Sequence, residues 1–241
     1  MRAETRHSLK EDRFSKVTIN AAEKTVHWTV EHQKTLMVGA VALLVIIAAV
    51  IGGWYYFNQQ DQKASVDFGQ AIRTLDTPLR PPNMPAQPGV PSFTSVQERA
   101  TAAHKQFQAV ADQYPHTRAG EFATYFSGVT ASTMGDTATS ERELKKISSS
   151  SDKDLAALAK FALAGVYRKT NRPKDAIDLY KQLIEKPTAS VGKSMAQLEL
   201  AGLYQDQQQA QEAKRIYEQV QKENPNTDVA SIASSKLAAL K

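Results

Sequence analysis

The sequence predicts an all-α protein in two parts: an N-terminal single transmembrane helix, followed by a solenoid of α-helical hairpins with a C-terminal capping helix. Three observations carry this expectation. Leu36 to Phe57 reads LMVGAVALLVIIAAVIGGWYYF without a charge. Leu163-Ala164-Gly165-Val166-Tyr167 recurs 37 residues on as Leu200-Ala201-Gly202-Leu203-Tyr204. Beyond residue 60, apolar residues keep helical spacing nearly to the C-terminus.

The apolar segment comes first. As a helix rising about 1.5 Å per residue it spans about 33 Å, enough to cross a bilayer core. A cleaved signal peptide has a shorter apolar region ending at a small-x-small site. This run ends instead in Trp54, Tyr55, Tyr56 and Phe57, rings that favour a membrane interface. A helix apolar on every side would otherwise need partners all round. Asn20 with Glu23 has the form of a capping box, which predicts a juxtamembrane and transmembrane helix over 20–60, with the span at about 36–57 and a flexible basic arm over 1–19. Lys16, Lys24 and Lys34 precede the span, and Lys63 and Arg73 follow it; Arg2, Arg6, Lys10 and Arg13 add to the N-terminal side. That bias keeps the N-terminus cytoplasmic and exports the C-terminal domain. Ala48 with Gly52 and Ala49 with Gly53 form small-xxx-small pairs, read here as composition rather than a pairing seam.

The second part is built on the repeat. Ala176 and Tyr180 recur as Ala213 and Tyr217 at the same 37-residue offset. In each hairpin a small residue lets two helices approach, and a ring four residues later fills the same face. The second-helix pattern also occurs earlier, where Ala103, Phe107, Val110 and Pro115 have the spacing of Ala213, Tyr217, Val220 and Pro225. The prolines fall where a helix should stop. A degenerate copy lies between, with Phe126-Ser127-Gly128-Val129 in its first helix and Ser140, Leu144 and Ile147 in its second.

These residues resemble the tetratricopeptide repeat family, whose hairpins carry an apolar residue beside a small one, then Tyr, then small, aromatic and terminal proline positions at these offsets. The resemblance covers roughly residues 62–226; the usual Trp near each repeat start is absent. It implies a tetratricopeptide-like domain over 62–241 and a protein-binding role.

Within that domain, the first copy is expected to begin near Ala64 to Asp76 and resume near Thr94. Between them Pro78, Pro81, Pro82, Pro85, Pro88 and Pro91 rule out a helix, so 77–92 is expected to be an extended Pro-rich loop, either a tolerated insertion or a docking loop. Val229, Ile232, Ala233, Lys236, Leu237 and Leu240 have helical spacing after Thr227 or Asp228 as N-cap, the pattern of a closing helix.

Composition narrows the function. The net charge of +5 comes from basic residues interleaved with acidic ones, so no nucleic-acid stripe forms. The absence of cysteine removes thiolate chemistry, Cys-containing zinc sites and a lipid-carrying Cys. His27, Glu31 and His32 do not have zincin spacing, and His104 and His116 have no partner in sequence. No nucleophile elbow or phosphate loop occurs, so no enzymatic activity, metal or cofactor is expected.

What is left is the concave face, lined in the resembled family by first-helix residues. That stripe is Leu158, Phe161, Gly165, Arg168 and Lys169 in one copy and Met195, Leu198, Gly202, Gln205 and Asp206 in the next. It is apolar with a charged end, and reads either as a groove for a peptide or partner helix or as packing between repeats. The chaperone-docking subfamily places a carboxylate clamp there; Phe161 and Leu198 stand at this face instead, so that activity is not carried over.

The whole plan also resembles the ancillary subunit of the bacterial Sec translocon. That resemblance implies an inner-membrane protein with a periplasmic C-terminal domain, partnered by the translocon and a membrane-anchored periplasmic chaperone. An envelope-assembly or cell-division scaffold is the alternative binding role, and a membrane-tethered enzyme the alternative of another class. Oligomeric state is open.

Overall fold

The computed structural model describes residues 32–81, 83–85, 89 and 91–240. The arm and the Asn20 cap lie outside the described residues. Two units divide the chain, 1–58 and 59–241.

The first helix, α1 (Gln33–Asp76), crosses that division. The sequence reading ended a helix near Gln60 and began another near Ala64. No such break exists, because Asn58 to Ser65 contains neither Pro nor Gly and nothing in it caps a helix end. The helix stops where Pro78 disfavours helical geometry for Thr77, whose hydroxyl turns back to the Arg73 carbonyl at 2.9 Å.

In the first unit, α1 is long and apolar enough to cross a membrane. Its large apolar residues from Leu36 to Ile51 are each between 40% and 70% exposed. The second unit begins with the other half of α1, where Ala64 and Ala71 are buried and Phe68, Ile72 and Leu75 pack beside them. That spacing puts one stripe against the next helix.

Eight further helices follow among the described residues: α2 (Val96–Gln113), α3 (Arg118–Met134), α4 (Thr137–Ile147), α5 (Lys153–Lys169), α6 (Pro173–Glu185), α7 (Lys193–Asp206), α8 (Ala210–Glu223) and α9 (Asp228–Ala238). From α2 onward each packs against its neighbour in sequence, and α3 also touches α5. The array is four hairpins, α1 with α2 through α7 with α8, and the closing helix α9. Local chemistry marks the starts. Ser95, Thr117, Asp136, Asp152 and Thr227 each accept a backbone N–H as N-cap. Pro173 opens α6, where its missing N–H costs nothing.

The 37-residue repeat extends to the backbone. Asn171 and Gln208 both take positive φ, at 55° and 60°. Arg172 N–H reaches the Tyr167 carbonyl at 2.8 Å, as Gln209 N–H reaches that of Tyr204 at 2.9 Å. The turn after α3 repeats this with Gly135 at φ 86° and Asp136 N–H bonded to the Ala131 carbonyl at 2.9 Å. The middle copy is therefore a full hairpin whose register lies 36 residues before its successor.

The core follows the spacing. Ala103, Phe107, Ala164, Ala176, Tyr180, Ala201, Ala213 and Tyr217 are buried, with Leu163, Tyr167 and Leu200 close behind and Tyr204 half-buried. A buried ring of this size stabilises by about 1.5–3 kcal/mol. Pro115 and Pro225 are exposed just past the ends of α2 and α8. Gly128 sits at the helix crossing of the middle copy, where a Cβ would lie 2.8 Å from Leu144. It thus corresponds to Ala164, although the local wording of the sequence pairs it with Gly165. In α9, Ala233 is buried and Val229 and Leu237 pack on the core, as does Leu240 just past its end, while Ile232 is 48% exposed.

Candidate functional site

The first helices of successive hairpins carry the stripe singled out in the sequence. Leu158, Phe161 and Leu198 are half-buried and pack on the core. Phe161 meets the Tyr180 ring edge-on with centroids 5.8 Å apart. Burial first, and then the nearby Glu199 carboxylate, push the Tyr180 phenol up to about 12. Met195 is 48% exposed.

The polar members are engaged within the array. Arg168 donates from Nε to Asp206 Oδ2 at 2.6 Å and from Nη1 to Glu199 Oε2 at 3.2 Å. Its guanidinium lies across Gly202, where a Cβ would come within 3.6 Å of it. Lys169 Nζ donates to Ser132 Oγ of the preceding hairpin at 3.3 Å. Gln205 Oε1 accepts a long 3.5 Å contact from the Tyr217 hydroxyl. The charged end of the stripe is therefore tied across repeats, and its apolar end is the open part.

The 36-residue register adds residues that sequence reasoning missed. Phe122, Tyr125 and Val129 on α3 stand where Leu158, Phe161 and Gly165 stand on α5, and all three are half-buried against the core. Arg118 lies over the Phe122 ring at 5.7 Å. The signal was present in sequence, since Gly128 precedes Ser140 by the same interval that separates Ala164 from Ala176.

Between the second and third hairpins a carboxylate gathers three partners. Glu141 on α4 accepts from Lys145 at 2.6 Å, from Arg172 through both oxygens at 2.9 and 3.0 Å, and from the Tyr167 hydroxyl at 3.4 Å. Arg172 also stacks over Tyr167 at 4.1 Å. Lys145 first and Arg172 next hold the Glu141 carboxyl below its ordinary value. A depressed folded-state pKa stabilises above the unfolded value of about 4.3, and the contribution is lost as pH falls through the folded one. Glu141→Gln is expected to lower stability by about 1–2 kcal/mol at neutral pH. The difference between variant and parent in urea unfolding should narrow as the pH is lowered below about 4.3.

The Pro-rich segment is tied at its ends. Arg80 N–H reaches the Phe93 carbonyl at 2.8 Å, and Arg99 Nη1 reaches that of Thr77 at 2.8 Å. Arg80 Nη1 also donates to the Met84 carbonyl. Pro78, Leu79, Pro81, Met84 and Pro85 line a hollow of about 230 Å³ there. His104 is buried, its Nδ1 3.0 Å from the Ser127 carbonyl and 3.2 Å from the Thr130 hydroxyl. Among the described residues no group of three His, Asp or Glu could hold a metal ion.

A chain of helical hairpins stacked on alternating small and aromatic residues, preceded by a long apolar helix, defines a helical-repeat protein of the interaction class. The model of a tetratricopeptide repeat-like domain matches residues 26–186, and that of a tetratricopeptide repeat matches 195–227. The first match covers more than half of the chain, and the chain belongs to this family. Its domain is a protein–protein interaction module. Comparison with curated proteins gives no match.

Proposed function

We propose that the chain is a single-pass membrane protein whose repeat array assists exported proteins, as an ancillary subunit of the bacterial Sec translocon working with a membrane-anchored periplasmic chaperone. In this reading the arm, span and array take residues 1–19, 36–57 and 62–241, with the N-terminus cytoplasmic and the array periplasmic. The observation that carries the anchor is the apolar half of α1, whose large apolar residues from Leu36 to Ile51 are all exposed among the described residues. Lipid is the solvent that suits such a helix. The family match begins at residue 26, ahead of this segment, which supports counting the apolar helix as part of the family's design. The basic arm supports the orientation.

Binding is assigned to the open part of the first-helix stripe, Phe122, Tyr125, Leu158, Phe161, Met195 and Leu198. Their apolar surface suits an unfolded or helical segment of a partner. Arg168 and Asp206 serve the array geometry, Gln205 supports Tyr217, and Lys169 borders the stripe.

Sidedness and crosslinking test this together. Protease added to spheroplasts is expected to digest the array, and a photocrosslinker at Met195 to capture channel subunits or a chain in transit. Protection in spheroplasts with digestion in inverted vesicles discards the export role. Crosslinks confined to envelope-assembly or division proteins replace it with a scaffold.

A further inference from the structure

A cleft of about 820 Å³ opens between the start of α5 and the end of α6, away from the stripe assigned above. One repeat position at its edge differs from the corresponding positions of the neighbouring hairpins. Thr124, Lys160 and Gln197 each stand four residues before the small helix-crossing residue of their hairpin, Gly128, Ala164 or Ala201. Thr124 is buried with its hydroxyl on the Gly120 carbonyl at 2.9 Å, and Gln197 is buried with its amide toward Glu223 at 3.4 Å. Lys160 cannot bury its charge, so the ammonium leans out to Gln182 Oε1 at 3.3 Å. The cleft opens beside it.

The lining is apolar at its base and basic at its mouth. Leu183 and Ala157 are buried beneath it, with Ala156 beside them, and Lys153, Lys160 and Lys186 surround it against the single carboxylate of Glu185. None of the three lysines has an ion-pair partner among the described residues. The nearby carboxylates are held elsewhere. Asp152 caps α5 and faces Arg118, Asp154 accepts from Ser190 N–H at 2.9 Å, and Glu121 accepts from the Ser150 hydroxyl at 2.9 Å. A ligand complementary to this lining carries an apolar side chain and more than one negative charge.

We infer that this cleft is a second docking site, for an acidic peptide segment of a partner protein that places an apolar side chain over Ala157 and Leu183 and its carboxylates on Lys153, Lys160 and Lys186. It is independent of the membrane role and of the first-helix stripe.

The test uses the full chain in detergent and a fluorescein-labelled octapeptide of alternating glutamate and leucine, followed by anisotropy. Binding is expected, with Lys160→Glu and Lys186→Glu each weakening it about tenfold, which is about 1.4 kcal/mol. Lys160→Arg should keep the affinity, as should Lys222→Glu on α8. Lys160→Trp, which fills the cleft, should abolish binding and raise the melting temperature, so a folding defect cannot imitate the result. Three outcomes overturn the inference: no binding by the parent chain, equal binding of the glutamine counterpart, or affinities unchanged by Lys160→Glu and Lys186→Glu. Capture of phosphatidylglycerol vesicles with the same lysine dependence, in place of the peptide, overturns it in favour of a lipid headgroup.

Discussion

Gly120→Ala is expected to destabilise the repeat array by about 3 kcal/mol, lowering its melting temperature by about 6–12 °C for a unit of this size. The cause is backbone proximity. A Cβ on Gly120 would stand 1.9 Å from the Tyr114 carbonyl oxygen and 2.8 Å from its carbon, a contact that no side-chain rotation can relieve. That carbonyl is fixed where it is, accepting from Thr117 N–H at 3.1 Å and from the Thr117 hydroxyl at 3.0 Å. The same hydroxyl caps α3 by accepting from Gly120 N–H at 3.0 Å. Moving the turn to admit a methyl group therefore disturbs both the cap and the seat of Tyr114, whose own hydroxyl donates to Asp67 on α1 at 3.1 Å. The turn after α8 has the same Pro-x-Thr wording but carries Ala230 at the matching place, and there Asn226 takes φ 62°. Thermal denaturation of the full chain in detergent, followed by far-UV circular dichroism, measures the effect. An unchanged melting temperature would show that the turn yields at no cost.

The second large effect concerns the apolar half of α1. Paired substitution of Ile46→Arg and Val50→Arg is expected to release the chain from the membrane fraction. Arginine near the middle of a span costs about 3 kcal/mol per residue, so the pair is expected to oppose insertion by about 6 kcal/mol before the lost apolar contribution is counted. Arginine is a good helix former, so helicity itself should survive. Both positions are well exposed among the described residues, at 58% and 65%. Flotation and carbonate extraction of cells making parent and variant distinguish the outcomes. A variant that still floats and resists extraction would remove the span from the proposed function while leaving the repeat array untouched.

The middle hairpin shows how far local pattern carries. Ser140, Leu144 and Ile147 were legible as a second helix because they keep the interval of their counterparts, and all three are buried. The partner register was harder to read. Gly128 resembles Gly165 by its neighbours, yet it acts as Ala164 does, because approach to Leu144 is a property of two helices rather than of one. Phe122 and Tyr125 were hidden by that single-residue shift. The absent break near Gln60 has the opposite cause: an apolar segment and an amphipathic repeat segment change over within one uninterrupted helix, and helical propensity does not register the change.

The sequence by itself determined the class of fold, the apolar helix, the 37-residue hairpin period and the start of the closing helix at Thr227, since each is written in the spacing of residue types along the chain. Tertiary structure alone decided which polar residues are free. Arg168 and Asp206 looked equally available in the sequence, but they neutralise each other across 38 residues. Lys160 lines a cleft between α5 and α6, with its ammonium on Gln182 Oε1 at 3.3 Å. Such outcomes depend on how far a side chain reaches between neighbouring hairpins, and on whether a charge can be left in water when the apolar surface around it is buried.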